Sequence, residues 1–194
     1  MKRMLALALA GLSTCVLAQK AELPVVKAGD QWKFVVYYTV PSTVPNRSWV
    51  ITSVGPTRIE GTENGEPLML SSELNILESP EIKVPKMRML SFPLEVGKKW
   101  RYESDWLFKP KNSKGTFTSN VSVVAHEKIK VPAGEFDAFK LVEKRAMRGV
   151  AIDVQTQLTS WYAPAANAIV KSVYVNPSLG STLTTELVSF RLQR

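Results

Sequence analysis

One histidine, one cysteine and a scatter of carboxylates are all that this chain offers to acid–base, nucleophilic or metal chemistry. His126 alone could serve as the base of a Ser/His/acid triad, but it lies in a valine-rich stretch beside Glu127, and no Gly-x-Ser-x-Gly elbow presents a serine. It reads as a rim or core imidazole. A zinc site needs three or four His, Cys or carboxylate ligands, and neither an Asp-x-Asp calcium loop nor a phosphate-binding glycine loop is present. Paired carboxylates hydrolyse glycosides when they face each other across a bond. Asp105, Asp137, Asp153 and Glu186 instead stand in contexts of surface charge. The expectation is no enzyme, no catalytic residue, no metal and no cofactor; a carboxylate-pair hydrolase is the weakest alternative.

The aromatic residues offer more. Trp49, Trp106, Phe108, Trp161 and Tyr162 exceed what one small core requires, and aromatic walls with a few polar groups make a binding groove. The expected groove runs along Trp106, Phe108 and Trp161, with Lys109 and Lys111 near its mouth to meet an anionic headgroup. The competing reading is that these rings simply fill the interior.

The elements that must carry these residues follow an export signal. Lys2 and Arg3 precede the apolar run Met4–Leu12, and Val16-Leu17-Ala18 presents a cleavage site, so residues 1–18 read as a signal peptide. The run is shorter than the roughly 20 residues that cross a bilayer. Leu12-Ser13-Thr14-Cys15 also resembles the lipobox of bacterial lipoproteins, with Thr14 where a smaller residue is usual. Cleavage after Ala18 removes Cys15 and excludes disulfides and thiolate sites from the 176 residues that remain. The expected location is periplasmic or secreted, with lipidation at Cys15 as the alternative.

The formal charge of +8 is uneven: Lys83 to Lys114 holds nine basic residues against three acids. That stretch is either a solvated face or a docking face for lipid or another anionic envelope component; export argues against nucleic acid.

Period-two alternation dominates the rest. Trp32–Val40, Ser48–Val54, Lys86–Leu90, Trp100–Phe108, Thr116–Lys130, Phe136–Arg145, Val150–Tyr162, Ala168–Val175 and Ser181–Leu192 read as strands, giving an antiparallel all-β domain over residues 19–194. Pro132-Ala133-Gly134-Glu135, Asn112-Ser113-Lys114-Gly115 and Asn176–Gly180 read as reversals. Leu70, Leu74 and Leu77 have helical spacing, so Leu68–Glu78 is either one short helix or an irregular crossover. Asn46-Arg47-Ser48 and Asn120-Val121-Ser122 match the glycosylation acceptor and read as chance matches in a bacterial chain. Lys27–Phe34 and Glu95–Tyr102 share Gly, two polar residues, Trp, a basic residue and an aromatic. This points to two β-meanders, with possible halves at 27–90 and 91–194.

Pro93-Leu94-Glu95-Val96-Gly97-Lys98-Lys99-Trp100, Val131–Lys140, Trp161-Tyr162-Ala163-Pro164 and Ile169-Val170-Lys171 resemble a family of exported bacterial all-β envelope proteins of unknown function. The resemblance spans roughly Leu90 to Val175 and implies a fold in the style of the half-barrel periplasmic lipoprotein and lipid carriers. It brings no catalytic residues. It departs after Tyr162, where Ala165-Ala166-Asn167-Ala168 replaces the usual glycines. The expected fold is therefore an open half-barrel or a sandwich. The expected function is non-enzymatic binding of an apolar or amphipathic ligand in the envelope, or a structural interaction role there without a small ligand.

Overall fold

The computed structural model describes residues 19–39, 46–149 and 152–194. The signal segment, Cys15, Val40 and Val150 lie outside the described residues. Among the described residues there are fourteen strands: β1 Lys20–Ala21, β2 Gln31–Tyr38, β3 Arg47–Val54, β4 Arg58–Glu63, β5 Glu66–Ser71, β6 Ile76–Glu78, β7 Ile82–Lys83, β8 Leu94–Glu95, β9 Lys99–Phe108, β10 Ser113–Val131, β11 Gly134–Gly149, β12 Ile152–Ala163, β13 Ala168–Asn176 and β14 Ser181–Arg191. All pairings are antiparallel.

Twelve of these strands close into a barrel, and β1 pairs with β8 as a separate two-stranded piece. The all-β class holds, but the barrel is closed, not an open half-barrel or a sandwich. Closure depends on two long-range pairings, β14 with β2 and β7 with β9, which no local alternation reveals. Two shorter expectations are also corrected. Leu68–Glu78 is the strand pair β5 and β6, because Leu68 and Leu70 alternate into the core and Leu74, at φ 63°, turns the chain. Lys86–Leu90 is no strand; it belongs to an irregular segment from Val84 to Pro93 that buries Val84, Leu90 and Ser91 and leaves Pro85, Lys86, Arg88 and Pro93 exposed.

That segment is held by its backbone. Asn75 accepts from Leu90 N at 2.7 Å and donates to Leu90 O at 2.9 Å. Ser104 Oγ accepts from Lys86 N at 3.1 Å, and Trp100 Nε1 donates to Arg88 O at 2.7 Å. Backbone groups with no sheet partner, those of the buried Leu90 among them, are satisfied by these side chains. Val84 and Leu90 join Tyr102, Trp106, Phe117, Val121, Phe139 and Leu141 in one apolar cluster; Trp32, Phe34, Ile51, Leu70, Val170 and Leu187 belong to a second.

Three hairpins use one device: a proline in the first turn of a short 3-10 helix, then a residue in the left-handed region. These are Lys109–Lys111 with Asn112, Pro164–Ala166 with Asn167, and Pro177–Leu179 with Gly180. Asn167 supplies the positive φ at the turn after Tyr162, and the reversal expected at Asn112–Gly115 falls three residues earlier.

The two Gly-x-x-Trp segments make the same turn. Gly29 N donates to Ile51 O at 2.8 Å and Ile51 N to Asp30 O at 2.9 Å; Gly97 N donates to Val123 O at 2.9 Å and Val123 N to Lys98 O at 2.9 Å. A register shift follows each contact, between Ile51 and Ser53 and between Val123 and Ala125. The following Trp differ: Trp32 is buried, whereas Trp100 is half-buried. Gly97 has φ 94° and open space where a Cβ would sit. Gly97→Ala therefore isolates the backbone cost, expected at about 1–2 kcal/mol in a urea unfolding titration.

Candidate functional site

A cavity of about 330 Å³ lies inside the barrel. Its floor is set by Trp32, Leu70 and Leu90, all nearly fully buried, and its upper wall by Arg47, Tyr174 and Leu183, which are partly exposed. Trp32 and Phe34 alternate inward on β2, while Trp49, paired opposite Trp32 on β3, meets Phe34 edge-on at 5.4 Å. Trp32 is fixed by its Nε1, which donates to Ala166 O at 2.7 Å. The lining is mostly apolar and aromatic with a few polar groups, the usual makeup of a small-molecule site, and its volume is near the lower end of the roughly 300–1,000 Å³ range.

Beside the cavity, β11 turns two charges inward. Glu143 Oε1 accepts from Tyr102 OH at 2.7 Å, from Ser119 Oγ, and from Arg145 Nε at 3.1 Å and Nη2 at 2.8 Å. Only 1% of the Glu143 side chain and 11% of that of Arg145 is exposed. The guanidinium also lies 4.2 Å from the Phe117 ring centre. Burial works against the Arg145 charge, but Glu143 and the Tyr102 oxygen outweigh it and raise its pKa. Burial, reinforced by the Glu143 carboxylate, pushes the Tyr102 phenol up as well, and burial alone raises Tyr162. Both phenols therefore stay protonated across the physiological range, and that of Tyr102 remains a donor to Glu143. This cluster keeps one geometry; it presents no nucleophile beside a free base.

None of the five residues expected along the groove lines this cavity. Trp106 is buried in the cluster with Tyr102 and Phe117, its Nε1 donating to Thr116 O at 3.3 Å. Phe108 pairs with Ile82 where β9 meets β7. Trp161 donates to Glu127 Oε1 at 2.8 Å, with Lys140 Nζ 5.1 Å from its ring centre. Lys109 Nζ is 2.8 Å from Glu78 Oε1 and donates to Ser79 O, while Lys111 stands exposed in the same 3-10 turn. Within the basic stretch, Lys83 and Lys109 are paired with Glu78, while Lys86 and Arg88 stand exposed on the Val84–Pro93 segment.

The residues that do line the cavity include Trp49, already conspicuous among the aromatics, and Trp32, Phe34, Arg47, Arg145 and Tyr174, none of which belongs to the groove expected from the sequence. A usable signal existed for one of them. Phe139, Leu141, Glu143 and Arg145 share one parity on β11, so the charges fall where the alternation demands core residues.

His126 packs against Phe139 with ring centres 4.6 Å apart and faces no serine. Asp137 lies 3.5 Å from Lys128, and Glu186 lies 2.7 Å from Lys171. Among the described residues no group of three or more His, Cys, Asp or Glu is placed to hold a metal ion.

Solved structures share this architecture. A Bacteroides fragilis protein described as exported and as having a YmcC-like fold superposes with a TM-score of 0.60 at 14% identity, over 88% of this chain and 99% of its own. The fold of this chain is YmcC-like. A Parabacteroides distasonis protein described as a lipoprotein gives 0.58 at 13% identity, over 89% and 100% of the two chains. The hypothetical lipoprotein YmcC from Escherichia coli gives 0.52 at 10% identity, over 82% and 83%. These YmcC-like chains are of the kind that the motifs between Leu90 and Val175 suggested. No family model and no curated protein matches the chain.

Proposed function

We propose that this chain is an exported, non-enzymatic protein of the bacterial envelope that holds one apolar or amphipathic molecule inside its barrel. The observation that carries this reading is the cavity itself: the barrel leaves about 330 Å³ unfilled between Trp32, Phe34, Trp49, Leu70 and Tyr174. A chain that used these rings only as core would close on them, because interior voids forfeit dispersion contacts. The volume suits a single acyl chain or a small apolar molecule better than a two-tailed lipid. The signal-like residues 1–18 and the exported or lipoprotein character given to the structural neighbours support the location.

Trp32 and Trp49 line the cavity, so they report occupancy directly. Titration with a single-chain amphiphile below its micelle concentration is expected to change Trp emission saturably. Leu183→Trp, which puts a bulky ring into the upper wall, is expected to weaken that binding at least about tenfold while the circular dichroism stays that of a β-protein. A wild-type protein that shows no saturable response, or an occluded variant that binds unchanged, would overturn the reading.

A further inference from the structure

The cavity wall formed by β12, β13 and β14 is layered. Ser160 stands opposite Ser172, and Ser172 opposite Thr185, so three hydroxyl side chains form a row across three neighbouring strands. Strands lie about 4.8 Å apart, which spreads the row over roughly 10 Å. One step along the same strands, Leu158 stands opposite Tyr174, and Tyr174 opposite Leu183. All six residues line the cavity. The wall thus offers a polar stripe beside an apolar one, both facing the Trp32, Phe34 and Leu70 side.

The hydroxyls of this stripe are poorly used within the protein. Ser160 Oγ has only Met89 Sδ, at 3.8 Å, a weak acceptor, and Ser172 and Thr185 make no side-chain hydrogen bond to another described residue. A purely apolar occupant would strip water from them and return nothing. The cations of the cavity, by contrast, are already matched. Arg145 bonds Glu143 at 2.8 Å, and Arg47 faces Glu63 at 3.7 Å and Glu81 at 4.0 Å. A carboxylate or phosphate head would add a negative charge where each arginine already has its counter-ion.

We infer that the occupant is a single-chain amphiphile with an uncharged head of hydroxyl and ester groups, bound with that head on the Ser160–Ser172–Thr185 row and its chain against Trp32, Phe34 and Leu70. The inference rests on the reading that the cavity holds a ligand and narrows it to one head-group class. Hydroxyls both donate and accept, so the row can serve an ester carbonyl and an alcohol at the same time.

The test compares 1-monodecanoylglycerol with decanoate, which share a chain length and differ in head, by Trp fluorescence and by calorimetry. The glycerol ester is expected to bind at least about tenfold more tightly, a difference of the size that two or three hydrogen bonds supply. Ser172→Ala combined with Thr185→Val keeps the volume and removes two hydroxyls. It is expected to weaken the ester by about tenfold and to leave decanoate unchanged, while Ser172→Thr retains ester binding. Equal or tighter binding of decanoate, or undiminished ester binding by the double variant, overturns the head-group assignment and leaves the occupied cavity standing. If neither compound binds, both fall.

Discussion

Arg145→Met is expected to lower the free energy of unfolding by about 3–5 kcal/mol, the largest effect of any single polar substitution in this barrel. The methionine fills much of the space of the arginine, so the loss reports charge and hydrogen bonding more than volume. Without the guanidinium, Glu143 keeps only the Tyr102 and Ser119 hydroxyls on Oε1, and its Oε2, already without a partner among the described residues, stays buried. A buried carboxylate without a counter-ion is the expensive state; a buried amide is far less so. Adding Glu143→Gln to Arg145→Met should therefore recover a large part of the loss. Urea unfolding followed by circular dichroism measures both proteins. A single-variant loss under about 1 kcal/mol would mean that the pair is solvated through the cavity and is not a structural tie.

Trp32→Ala is expected to cost a similar amount, about 3–5 kcal/mol, for a different reason. Trp32 is 2% exposed, sits in the apolar cluster of β2, β3 and β14, and gives up a hydrogen bond to Ala166 O when truncated. The void created would open into the existing cavity, so the site cannot collapse around it. Trp161→Ala makes the contrast. That ring is half-buried, with Glu127 and Lys140 as partners, and its removal is expected to cost about 1 kcal/mol under the same conditions. Equal losses for the two tryptophans would contradict the placement of Trp32 at the floor of the cavity.

The difference between these two rings shows how far the sequence could be read. Alternation over Trp32–Tyr38, Trp100–Phe108 and Ile152–Tyr162 identifies strands, because a half-buried sheet imposes period two on the residues themselves. Proline followed by Asn or Gly marks reversals for a similarly local reason. What alternation cannot rank is which of several inward rings meets empty space. That depends on register between strands far apart in the chain, such as β14 with β2, where Leu187 stands opposite Phe34. The same limit hid barrel closure. It also hid the irregular course of Val84–Pro93, since Lys86–Leu90 alternates like a strand until Asn75, 15 residues from Leu90, is seen to bind that backbone. Glu143 and Arg145 were legible in principle: their parity places them inward, and two charges at core positions are a reason to expect a buried polar network.

The narrow strands β6 and β7 have a consequence for how the barrel breathes. Their mutual ladder is the pair Glu78 and Lys83, flanked by bonds from Val84 N to Leu77 O and from Ser79 N to Ile82 O, and β7 reaches β9 through Ile82 and Lys83 beside a bond from Lys109 N to Glu81 O, whereas β10 and β11 are paired from Gly115 to Val131. Side-chain ion pairs from Lys83 and Lys109 to Glu78 clamp this seam from outside, but such pairs contribute little where water reaches them. Amide protons between Ile76 and Lys83 should therefore exchange through small local openings, while those of β10 and β11 wait for global unfolding. An opening at this seam would unmask two strand edges beside the Val84–Pro93 segment, leaving a lateral gate through which the interior could be reached without dismantling the barrel.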